Sequence, residues 1–375
     1  MTRVAILGPA PPDRGGIARE TGLLYRELSR KAEVDWFTFS RRYPRWLDPR
    51  RFDEDPELPD SGARPVLDYR SPLSWKRTAQ ALAADGRRDA VIVPWWTAFW
   101  GLPVRAVLRR LARQSPATRR VLLCHNVEEH ESTAVRRFLA LGAFLAADSF
   151  LVHSEEDRAR LARLAPGRAA LVLPHPVVPS DPPSRENARR ELGIEGKLVL
   201  FLGLVRRYKG VDLLLDAAPE IVRRTGAQIA IVGEVFPDAR DMMRRVRSSS
   251  VQDRILVRDS YVAESQMDLW LAACDVVVLP YRAISGSGIA ARAIAAGRPL
   301  AAAAVGGLSE CVQAGGTGER FAPEDPAALA WAVETVLARG IDAYAPGLAR
   351  AADAASWPRY ADAILDFLAS PRADG

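Results

Sequence analysis

The sequence has few cysteines and few histidines, and these shortages exclude several kinds of protein. The three cysteines, Cys124, Cys274 and Cys311, stand apart in apolar surroundings without a Cys-x-x-Cys pair, so we expect neither a disulfide framework nor a cysteine-ligated metal. His125 and His130, two of the four histidines, are five positions apart, whereas two ligands on one helix face are four apart. We therefore expect no metal site.

Long hydrophobic runs are also missing. No window holds the roughly 18 consecutive apolar residues that a membrane-spanning helix needs. The first residues, MTRVAILGPAPP, lack the basic start, long apolar core and cleavage site of a secretory signal, so we expect a cytoplasmic protein. The net charge is +6, but there is no zinc-finger spacing and no aromatic-rich RNA-binding motif, so we expect no nucleic-acid partner.

Short apolar runs alternate with amphipathic helical patterns along the whole chain. In the first half the predicted strands are VAIL (4–7), VDWFTF (34–39), AVIVPWW (90–96), RVLLCHN (120–126), SFLVHS (149–154) and ALVLPHP (170–176). In the second half they are KLVLFLGL (197–204), AQIAIVGE (227–234), RILVRD (254–259), DVVVLPY (275–281) and PLAAAAVGG (299–307). This alternation predicts an α/β fold with parallel sheets covered by helices on both faces.

The length of the chain predicts two such domains, since 375 residues are more than one hydrophobic core usually organises. A polar, proline-bearing stretch separates the two series of strands and suggests a linker near residues 177–185. The segment from Arg41 to Pro72 is rich in proline and charge and has no periodicity. We interpret it as a long, mostly irregular loop of the first domain.

Glycine marks the turn after the first predicted strand, LGPAPPDRGGIARE. Gly15 and Gly16 open a helix there, where the backbone can approach a ligand and present its amides to an anion. A purely structural turn is the alternative interpretation. The turn does not match the G-x-G-x-x-G dinucleotide fingerprint, which counts against an NAD enzyme.

A basic turn follows the first strand of the second half, in FLGLVRRYKGVDLLLDA. Gly203, Arg206 and Lys209 stand between that strand and the next helix, at the edge where ligands bind in open α/β sheets. Two cations at this edge could neutralise a diphosphate. A solvated basic turn without a ligand is the alternative.

The stretch LPYRAISGSGIAARAIAAG joins a strand to an alanine-rich helix. Ser285, Gly286, Ser287 and Gly288 supply hydroxyl donors, accessible amides and the positive end of a helix dipole, all of which suit a phosphate. A flexible serine-glycine connector is the alternative. A mere connector need not lie between a buried strand and a buried helix, which favours the phosphate site.

Several of these features occur together in one known family. The RGG turn, the G-x-x-R-x-x-K-G turn, the SGSG helix start and the AVGGLSE after it resemble the retaining glycosyltransferases of the GT-B fold, in particular glycosyltransferase family 4. The resemblance covers nearly the whole chain. It implies two Rossmann-like domains whose parallel sheets face each other across a cleft, with an acceptor domain over 1–178 and a nucleotide-sugar donor domain over 179–355. The tail, 356–375, resembles the family's closing helix, which packs back on the first domain.

The resemblance also implies roles for individual residues. Lys209 matches the family's lysine on the diphosphate, and because Leu204 replaces the usual arginine, we assign the arginine's role to Arg206. His125 matches the histidine that contacts the donor sugar near the reacting carbon, although a histidine at a strand end also suits a structural hydrogen bond. We therefore predict catalytic roles for His125, Arg206 and Lys209.

Further positions are expected to bind the nucleotide sugar, which is a substrate and not a resident cofactor. They are Gly15, Gly16, Gly203, Gly233, Glu234, Ser285, Gly286, Ser287, Gly288, Ile289 and Arg292. No metal is implied, because the basic turn and helix amides can stabilise the leaving diphosphate. Asp53, Glu54 and Asp55 have the D-x-D spacing with which another glycosyltransferase fold binds a metal, and we interpret that spacing as coincidental.

One departure from the family pattern concerns carboxylates. The family has two glutamates, separated by seven residues, that contact the sugar and the ribose hydroxyls, and Ile284 and Arg292 occupy those positions here. A guanidinium group has five donors and no acceptor, so arginine does not replace a carboxylate. Three hypotheses remain open: Glu310 or Glu234 holds the donor instead, Arg292 adds a phosphate contact, or the donor site is degenerate.

Aromatic and basic residues also concentrate in the first half. Trp95, Trp96, Phe99 and Trp100 precede PVRAVLRRLARQSPATRR, which has six arginines and no acid, and 41–46 adds RRYPRW. This combination suits the anionic face of a membrane, whereas packing of the tryptophans in a core is the alternative. The membrane hypothesis predicts peripheral contact with the cytoplasmic face of the inner membrane and a lipid-linked acceptor.

We interpret the chain as a retaining, metal-independent glycosyltransferase. It would move a hexosyl group from a nucleoside-diphosphate sugar to a glycan or lipid-linked acceptor, in cell-envelope or exopolysaccharide biosynthesis. The substitutions at Ile284 and Arg292 motivate an alternative, a catalytically weak GT-B protein that acts as a scaffold for another transferase. A nucleotide-sugar epimerase is a third hypothesis, against which the unequal halves and the missing acid–base carboxylates count.

Overall fold

A computed structural model describes residues 1–13, 15–44, 60–84, 88–127, 133–177, 182–313 and 315–372. The chain divides into two compact units, the first formed by Met1–Leu173 with Trp357–Gly375 and the second by Pro174–Ser356. The boundary predicted between residues 178 and 179 falls within 178–181, outside the described ranges.

The first unit has a seven-stranded parallel sheet with the strand order β3-β2-β1-β4-β5-β6-β7. Its strands are β1 (Arg3–Leu7), β2 (Glu33–Arg41), β3 (Arg64–Asp68), β4 (Ala90–Trp95), β5 (Arg119–Cys124), β6 (Ser149–Val152) and β7 (Ala169–Val172). Its helices are α1 (Gly16–Ser29), α2 (Pro72–Ala83), α3 (Gly101–Gln114), α4 (Ala134–Phe144), α5 (Glu155–Leu164) and the C-terminal α14 (Trp357–Ala369).

Both faces of this sheet are buried, as expected for parallel strands with crossover helices. Successive side chains of a strand point to opposite faces, so in β1 Ala5 and Leu7 enter one core while Val4 and Ile6 enter the other. The C-terminal helix α14 completes the second of these cores with Trp357 and three further buried side chains. The first unit is therefore assembled from both ends of the chain.

The second unit has a six-stranded parallel sheet with the order β10-β9-β8-β11-β12-β13. Its strands are β8 (Leu198–Leu202), β9 (Gln228–Val232), β10 (Ile255–Arg258), β11 (Val276–Leu279), β12 (Leu300–Ala303) and β13 (Gly318–Phe321). Its helices are α6 (Arg185–Leu192), α7 (Val211–Thr225), α8 (Met242–Arg247), α9 (Glu264–Ala273), α10 (Gly288–Ala295), α11 (Gly306–Cys311), α12 (Pro326–Arg339) and α13 (Ala345–Ala354).

Glycines with positive φ let the turns at the carboxyl edge of this sheet pack closely. Gly203 follows β8 with a φ of +111°. Gly233 follows β9, and a Cβ on it would lie 2.0 Å from the carbonyl oxygen of Gly203. Gly210 has a φ of +66°, and a Cβ there would lie 1.9 Å from the carbonyl oxygen of Pro280. A side chain at Gly210 or Gly233 would force the neighbouring backbone to move, whereas at Gly203 it is the positive φ that favours glycine.

The α/β prediction with parallel sheets is confirmed, and each predicted strand is present within a few residues of its expected bounds. The prediction of a mostly irregular loop over 41–72 was wrong in part, because β3 lies within it and pairs in parallel with β2. β3 is an edge strand, where Pro65 is tolerated and alternation is weak. Strand β13 was also missed. Residues 45–59, with Asp53, Glu54 and Asp55, lie outside the described residues.

The close contact at Gly210 gives a test of the fold around the basic turn. We expect Gly210→Ala to lower the urea midpoint of unfolding at least twice as far as Gly226→Ala. Both residues have a left-handed φ, +66° and +65°, but a Cβ on Gly226 would meet nothing within 4 Å, so only the intrinsic cost of about 1–2 kcal/mol applies there. Equal midpoints for the two variants would contradict the packing described for Pro280.

Candidate functional site

The predicted donor-site residues of the second unit gather where its strand order reverses. Strand β8 lies between β9 and β11, and the turns that follow β8 and β11 both leave the carboxyl edge of the sheet. Open α/β sheets bind ligands at this kind of switch point. The structure thus brings together the basic turn that contains Lys209 and the serine-glycine turn that starts at Ser285.

Lys209 lies at the centre of this edge. Its Nζ is 3.4 Å from the position that a Cβ on Gly203 would take, and Ile289 of α10 is at the same distance from that position. The ammonium group also lies 5.1 Å from the ring centroid of the buried Tyr281. Across the described part of the chain, no carboxylate forms an ion pair with Lys209, so its charge is available to an anionic ligand.

The start of α10 lies beside Lys209 and is capped in an ordered way. The hydroxyl oxygen of Ser287 accepts a hydrogen bond from the backbone N–H of Ala290 at 3.2 Å. The N–H groups of a helix's first turn have no acceptor within the helix, so those of Gly288 and Ile289 can face an anion. Gly307 fixes the turn from the other side, because a Cβ on it would lie 2.1 Å from the carbonyl oxygen of Ser285.

His175, which is not among the residues predicted for the donor site, lies over this helix start. Its Cε1 is 3.6 Å from the position that a Cβ on Gly288 would take. The residue belongs to the second unit and precedes the segment 178–181. No sequence pattern marked it, because its position depends on how the chain enters the second unit.

Arg206, predicted to be a second cation for the diphosphate, has a protein partner. Its guanidinium group pairs with Asp238 at 3.1 Å and lies 4.9 Å from the ring centroid of Phe236. These contacts hold Arg206 against the turn after β9. Its catalytic role stays a prediction. Among the described residues, Lys209 has no ion pair with a carboxylate, so it is better placed than Arg206 to neutralise a bound diphosphate.

A different arginine, Arg282, holds the basic turn in place. It donates two hydrogen bonds of 2.8 Å to the carboxylate of Asp212 and one of 2.7 Å to the carbonyl oxygen of Arg207. This hydrogen bonding holds the pKa of Asp212 below its usual value although burial opposes the shift. The backbone N–H of Arg282 also donates to the carbonyl of Tyr208 at 2.8 Å, so the two turns are joined by hydrogen bonds.

Arg292, at the position of a family glutamate, is part of a buried ion-pair cluster. Its side chain is only 4% exposed and donates to the Glu264 carboxylate at 2.6 Å. The carboxylate of Asp268 lies 3.6 Å from the same guanidinium group. Both acids come from α9, so Arg292 joins α10 to α9. Its predicted contact with the substrate remains a prediction.

The other positions of the serine-glycine turn and its neighbours occupy the same edge. Ile284 and Ile289 pack against the hydrophobic core of the second unit, so Ile284 has become a packing residue. Glu234 directly follows Gly233, and its carbonyl accepts the N–H of Val205 at 2.9 Å. Glu310 lies on α11 and is exposed. Either acid as a replacement for the missing glutamates stays a prediction.

In the first unit, the glycine pair opens α1 as predicted from the sequence. Gly15 has a φ of +121° and precedes the first helical residue, Gly16. A Cβ on either would meet nothing within 4 Å, so neighbouring protein atoms do not require these glycines. Open space in front of a helix start suits a ligand, and the roles of both glycines remain predictions.

His125 follows β5 and is held in a chain of hydrogen bonds. His153 lies 3.2 Å from the carbonyl oxygen of Leu173 through its Nδ1, and its Nε2 is 3.4 Å from the Nδ1 of His125. A carbonyl only accepts, so the Nδ1 of His153 donates and its Nε2 accepts from His125 when both rings are neutral. In this tautomer the Nε2 of His125 is a hydrogen-bond acceptor and not a donor.

Glu20 of α1 completes this group. Its Oε2 lies 3.6 Å from the Nδ1 of His125, and all three side chains are buried. Within 4.8 Å of one another, Glu20, His125 and His153 offer the carboxylate and imidazole atoms that could hold a divalent metal ion. We expected no metal site because of the spacing between His125 and His130 along the chain. That spacing gives no information about Glu20 and His153, which only the fold brings near His125. His130 lies outside the described residues.

The aromatic and basic stretch of the first unit is only partly a surface. Trp95 and Trp100 are fully buried in the core, which favours the packing interpretation for them. Arg119 is also buried, and it donates to the carbonyl of Phe367 on α14 at 2.5 Å. The exposed arginines between residues 95 and 120 lie on α3, and Arg41 on β2 is also exposed. Among the described helices, none combines the length and apolarity that membrane crossing requires.

Solved structures identify the architecture of these two units. Sucrose-phosphate synthase from Thermosynechococcus elongatus matches with a TM-score of 0.74 over 98% of both chains, at 20% sequence identity. The Anabaena protein HepE, solved in complex with UDP-glucose, matches with a TM-score of 0.74 over 99% of this chain and 100% of its own, at 16% identity. The GT-B fold of glycosyltransferases is thereby confirmed.

Sequence comparison identifies the family. The family model described as glycosyl transferases group 1 matches residues 196–339. A D-inositol 3-phosphate glycosyltransferase from Xylanimonas cellulosilytica is 30% identical over 319 residues, covering 78% of this chain and 74% of the relative. The chain therefore belongs to the group 1 glycosyl transferases and is a glycosyltransferase. The enzyme of the same description from Mycolicibacterium smegmatis is 30% identical, and the match spans about half of it, 52%.

The ion-pair cluster at Arg292 predicts a large loss of stability on its removal. We expect Arg292→Leu to lower the free energy of unfolding by about 3–5 kcal/mol, because two carboxylates are left without their cation. The double variant with Glu264→Leu should lose less, since one of those carboxylates is removed. Arg245→Leu, which breaks the partly exposed pair with Asp216, is the control and should cost about 1 kcal/mol or less. A similar loss in the control, measured by urea unfolding, would contradict this.

The hydrogen-bond chain at His125 predicts a specific tautomer. Long-range ¹H–¹⁵N correlation spectra of histidine-labelled protein should show His125 and His153 both protonated on Nδ1 when neutral. Four histidines give few enough signals to assign each by substitution. An Nε2–H tautomer at His125 would refute the chain. If adding Zn²⁺ removes the Nδ1–H couplings of both His125 and His153, and does not do so in Glu20→Gln, a metal site formed by these three residues is favoured.

Proposed function

We propose that this glycosyltransferase moves a hexosyl group from a nucleoside-diphosphate sugar to a glycan or lipid-linked acceptor with retention of configuration. The observation that carries the proposal is the position of Lys209. Its ammonium group lies beside Gly203 and the start of α10, and no carboxylate of the described residues forms an ion pair with it. A diphosphate there would meet a cation and helix amides at once. UDP-glucose is the first donor to test, since HepE was solved with it.

In this proposal, bond cleavage releases the nucleoside diphosphate as the leaving group. Negative charge grows on its β-phosphate as the bond to the sugar carbon breaks, and Lys209 with the N–H groups of α10 stabilises that charge. Because these groups supply the positive charge, the reaction needs no metal. His125 is the residue predicted to contact the sugar. The acceptor hydroxyl attacks the sugar carbon from the face that the diphosphate leaves and gives its proton to the departing phosphate oxygen.

The acceptor and its biological setting are the broader part of the proposal. Relatives named for D-inositol 3-phosphate support an acceptor that carries a phosphate. Exposed arginines in the first unit support peripheral contact with an anionic membrane from the cytoplasmic side. Together they favour a role in assembling cell-envelope or exopolysaccharide glycans. Analysis of the product's anomeric configuration by NMR would test retention.

A scaffold without catalytic activity is the second candidate, and Arg292 is the observation that favours it. The family carboxylate is absent there, and the guanidinium group is bound to Glu264, so no acceptor for ribose hydroxyls comes from this position. A scaffold would bind no nucleotide with micromolar affinity, whereas a working site would gain about 8 kcal/mol. Calorimetry with UDP, GDP, ADP and dTDP separates the two candidates.

The proposal predicts a large effect at Lys209 and a small one at a matched lysine. We expect Lys209→Ala to lower the rate of transfer, or of donor hydrolysis, by about 100-fold, which is about 2.7 kcal/mol of transition-state stabilisation. Lys197 is exposed and precedes the same strand, β8, at its opposite end. Lys197→Ala should therefore change the rate less than twofold. Unchanged turnover in Lys209→Ala, with an unaltered unfolding midpoint, would remove the assigned role.

A further inference from the structure

Aromatic rings surround the ammonium group of Lys209 on one side. The Nζ lies 5.1 Å from the ring centroid of Tyr281 and 6.0 Å from that of Tyr208. A cation is attracted to the face of a tyrosine ring within about 6 Å of its centroid, so Tyr281 is the stronger partner of the two. The rings pack edge to face, with centroids 6.4 Å apart and planes at 68°. Tyr208 therefore supports the ring that holds the cation.

The ring of Tyr281 has a fixed position relative to the basic turn. It is only 1% exposed and belongs to the hydrophobic core of the second unit. Both of its chain neighbours touch the basic turn through the backbone. The carbonyl of Pro280 lies against Gly210, and the N–H of Arg282 donates to the carbonyl of Tyr208 at 2.8 Å. A shift of the ring along the turn would break one of these contacts.

An aromatic ring holds a lysine without cancelling its charge. A carboxylate in the place of Tyr281 would fix the ammonium group but would also neutralise it and compete with a bound diphosphate. The ring face attracts the cation and has no net charge. The flexible four-carbon stem of a lysine loses freedom when a ligand orders it, and a stem that is already confined loses less on binding.

The ring of Tyr281, and not its hydroxyl, is the part that suits this role. Among the described residues, none gives that buried hydroxyl a hydrogen bond of normal geometry. Burial raises the pKa of Tyr281, and the nearby side chain of Ser287 opposes this shift only in part. The phenol therefore stays neutral, and it adds no negative charge beside Lys209.

We propose that Tyr281 is a positioning residue for Lys209, whose ammonium group it holds against its ring face at the point where the diphosphate binds. The inference rests on the proposed function, which supplies the diphosphate. It adds a residue that acts on the ligand through Lys209 alone, and the aromatic character of the residue is what the role requires.

Calorimetry with UDP on the full chain tests this proposal. Tyr281→Leu removes the ring face and should bind UDP about tenfold more weakly than wild type. Tyr281→Phe keeps the ring face and should restore the affinity to within about twofold of wild type. An equal loss in both variants would assign the role to the hydroxyl and overturn the proposal.

A matched control separates this effect from general loss of stability. Tyr344 is another buried tyrosine of the second unit, and its hydroxyl donates to Glu319 at 3.0 Å, near the amino end of β13 and thus at the opposite edge of the sheet. Tyr344→Leu should lower the urea midpoint of unfolding and leave the UDP affinity unchanged. A tenfold loss of UDP affinity in this control would refute a specific role for Tyr281.

Two further measurements ask whether the ring acts as a cation partner and through Lys209. Phenylalanines with one, two and three ring fluorines at position 281 withdraw electrons from the ring face with little change of shape, so UDP affinity should fall stepwise along the series. A constant affinity would overturn the proposal. In a Lys209→Ala background, Tyr281→Leu should cause no further loss, and a further tenfold loss would show a role independent of Lys209.

NMR of the ligand-free protein distinguishes failure of this proposal from failure of the proposed function. In lysine-labelled protein, the Hε protons of Lys209 should resonate upfield of those of Lys31, Lys76 and Lys197 because of the ring current, and Tyr281→Leu should abolish the difference. UDP binding that Tyr281→Leu leaves unchanged would refute the positioning role alone. If wild-type protein binds no nucleotide, the proposed function is refuted, and an absent upfield shift would then refute the ring contact as well.

Discussion

The geometry of the proposed donor site depends on backbone segments that touch each other directly at the carboxyl edge of the second unit's sheet. The turn after β9 lies against the turn after β8 through Gly233 and Gly203, and the start of α11 lies against the serine-glycine turn through Gly307. A side chain on Gly233 or Gly307 would force the turns apart. The position of Lys209 relative to α10 is thus set by main-chain packing, and few side chains need to be specialised for the ligand.

Arg292, at the start of the second turn of α10, has a different function from the glutamate that the family has at this position. Arg292 neutralises acids of α9, so this position now contributes to the packing of two helices. A glutamate introduced there would join Glu264 and Asp268, and like charges so close in a buried place destabilise the fold. Restoring the family residue by itself would therefore disturb folding and binding together. A carboxylate for the ribose, where one is used, has to come from another element.

Features encoded by neighbouring residues could be predicted from the sequence, and features encoded by distant ones could not. Apolar runs gave most strands, and turn residues located Gly15, Lys209 and Ser287 at strand and helix ends. Partnerships such as His153 with His125, or Arg292 with Glu264, join residues 28 positions apart on different elements. Those depend on strand order and helix register, which periodicity does not determine. Strand β3 was missed because an edge strand lacks the apolar run of a central one.

The return of α14 to the first unit has a consequence for biosynthesis. The sheet face that Trp357 covers is made early, but Trp357 itself follows the whole of the second unit in the chain. At the roughly 5–20 residues per second of translation, that face waits on the order of 10–40 s for its cover. During this interval the second unit is still being synthesised, while the first unit has an exposed apolar surface. The emerging chain is then a natural client for a chaperone that binds nascent apolar segments.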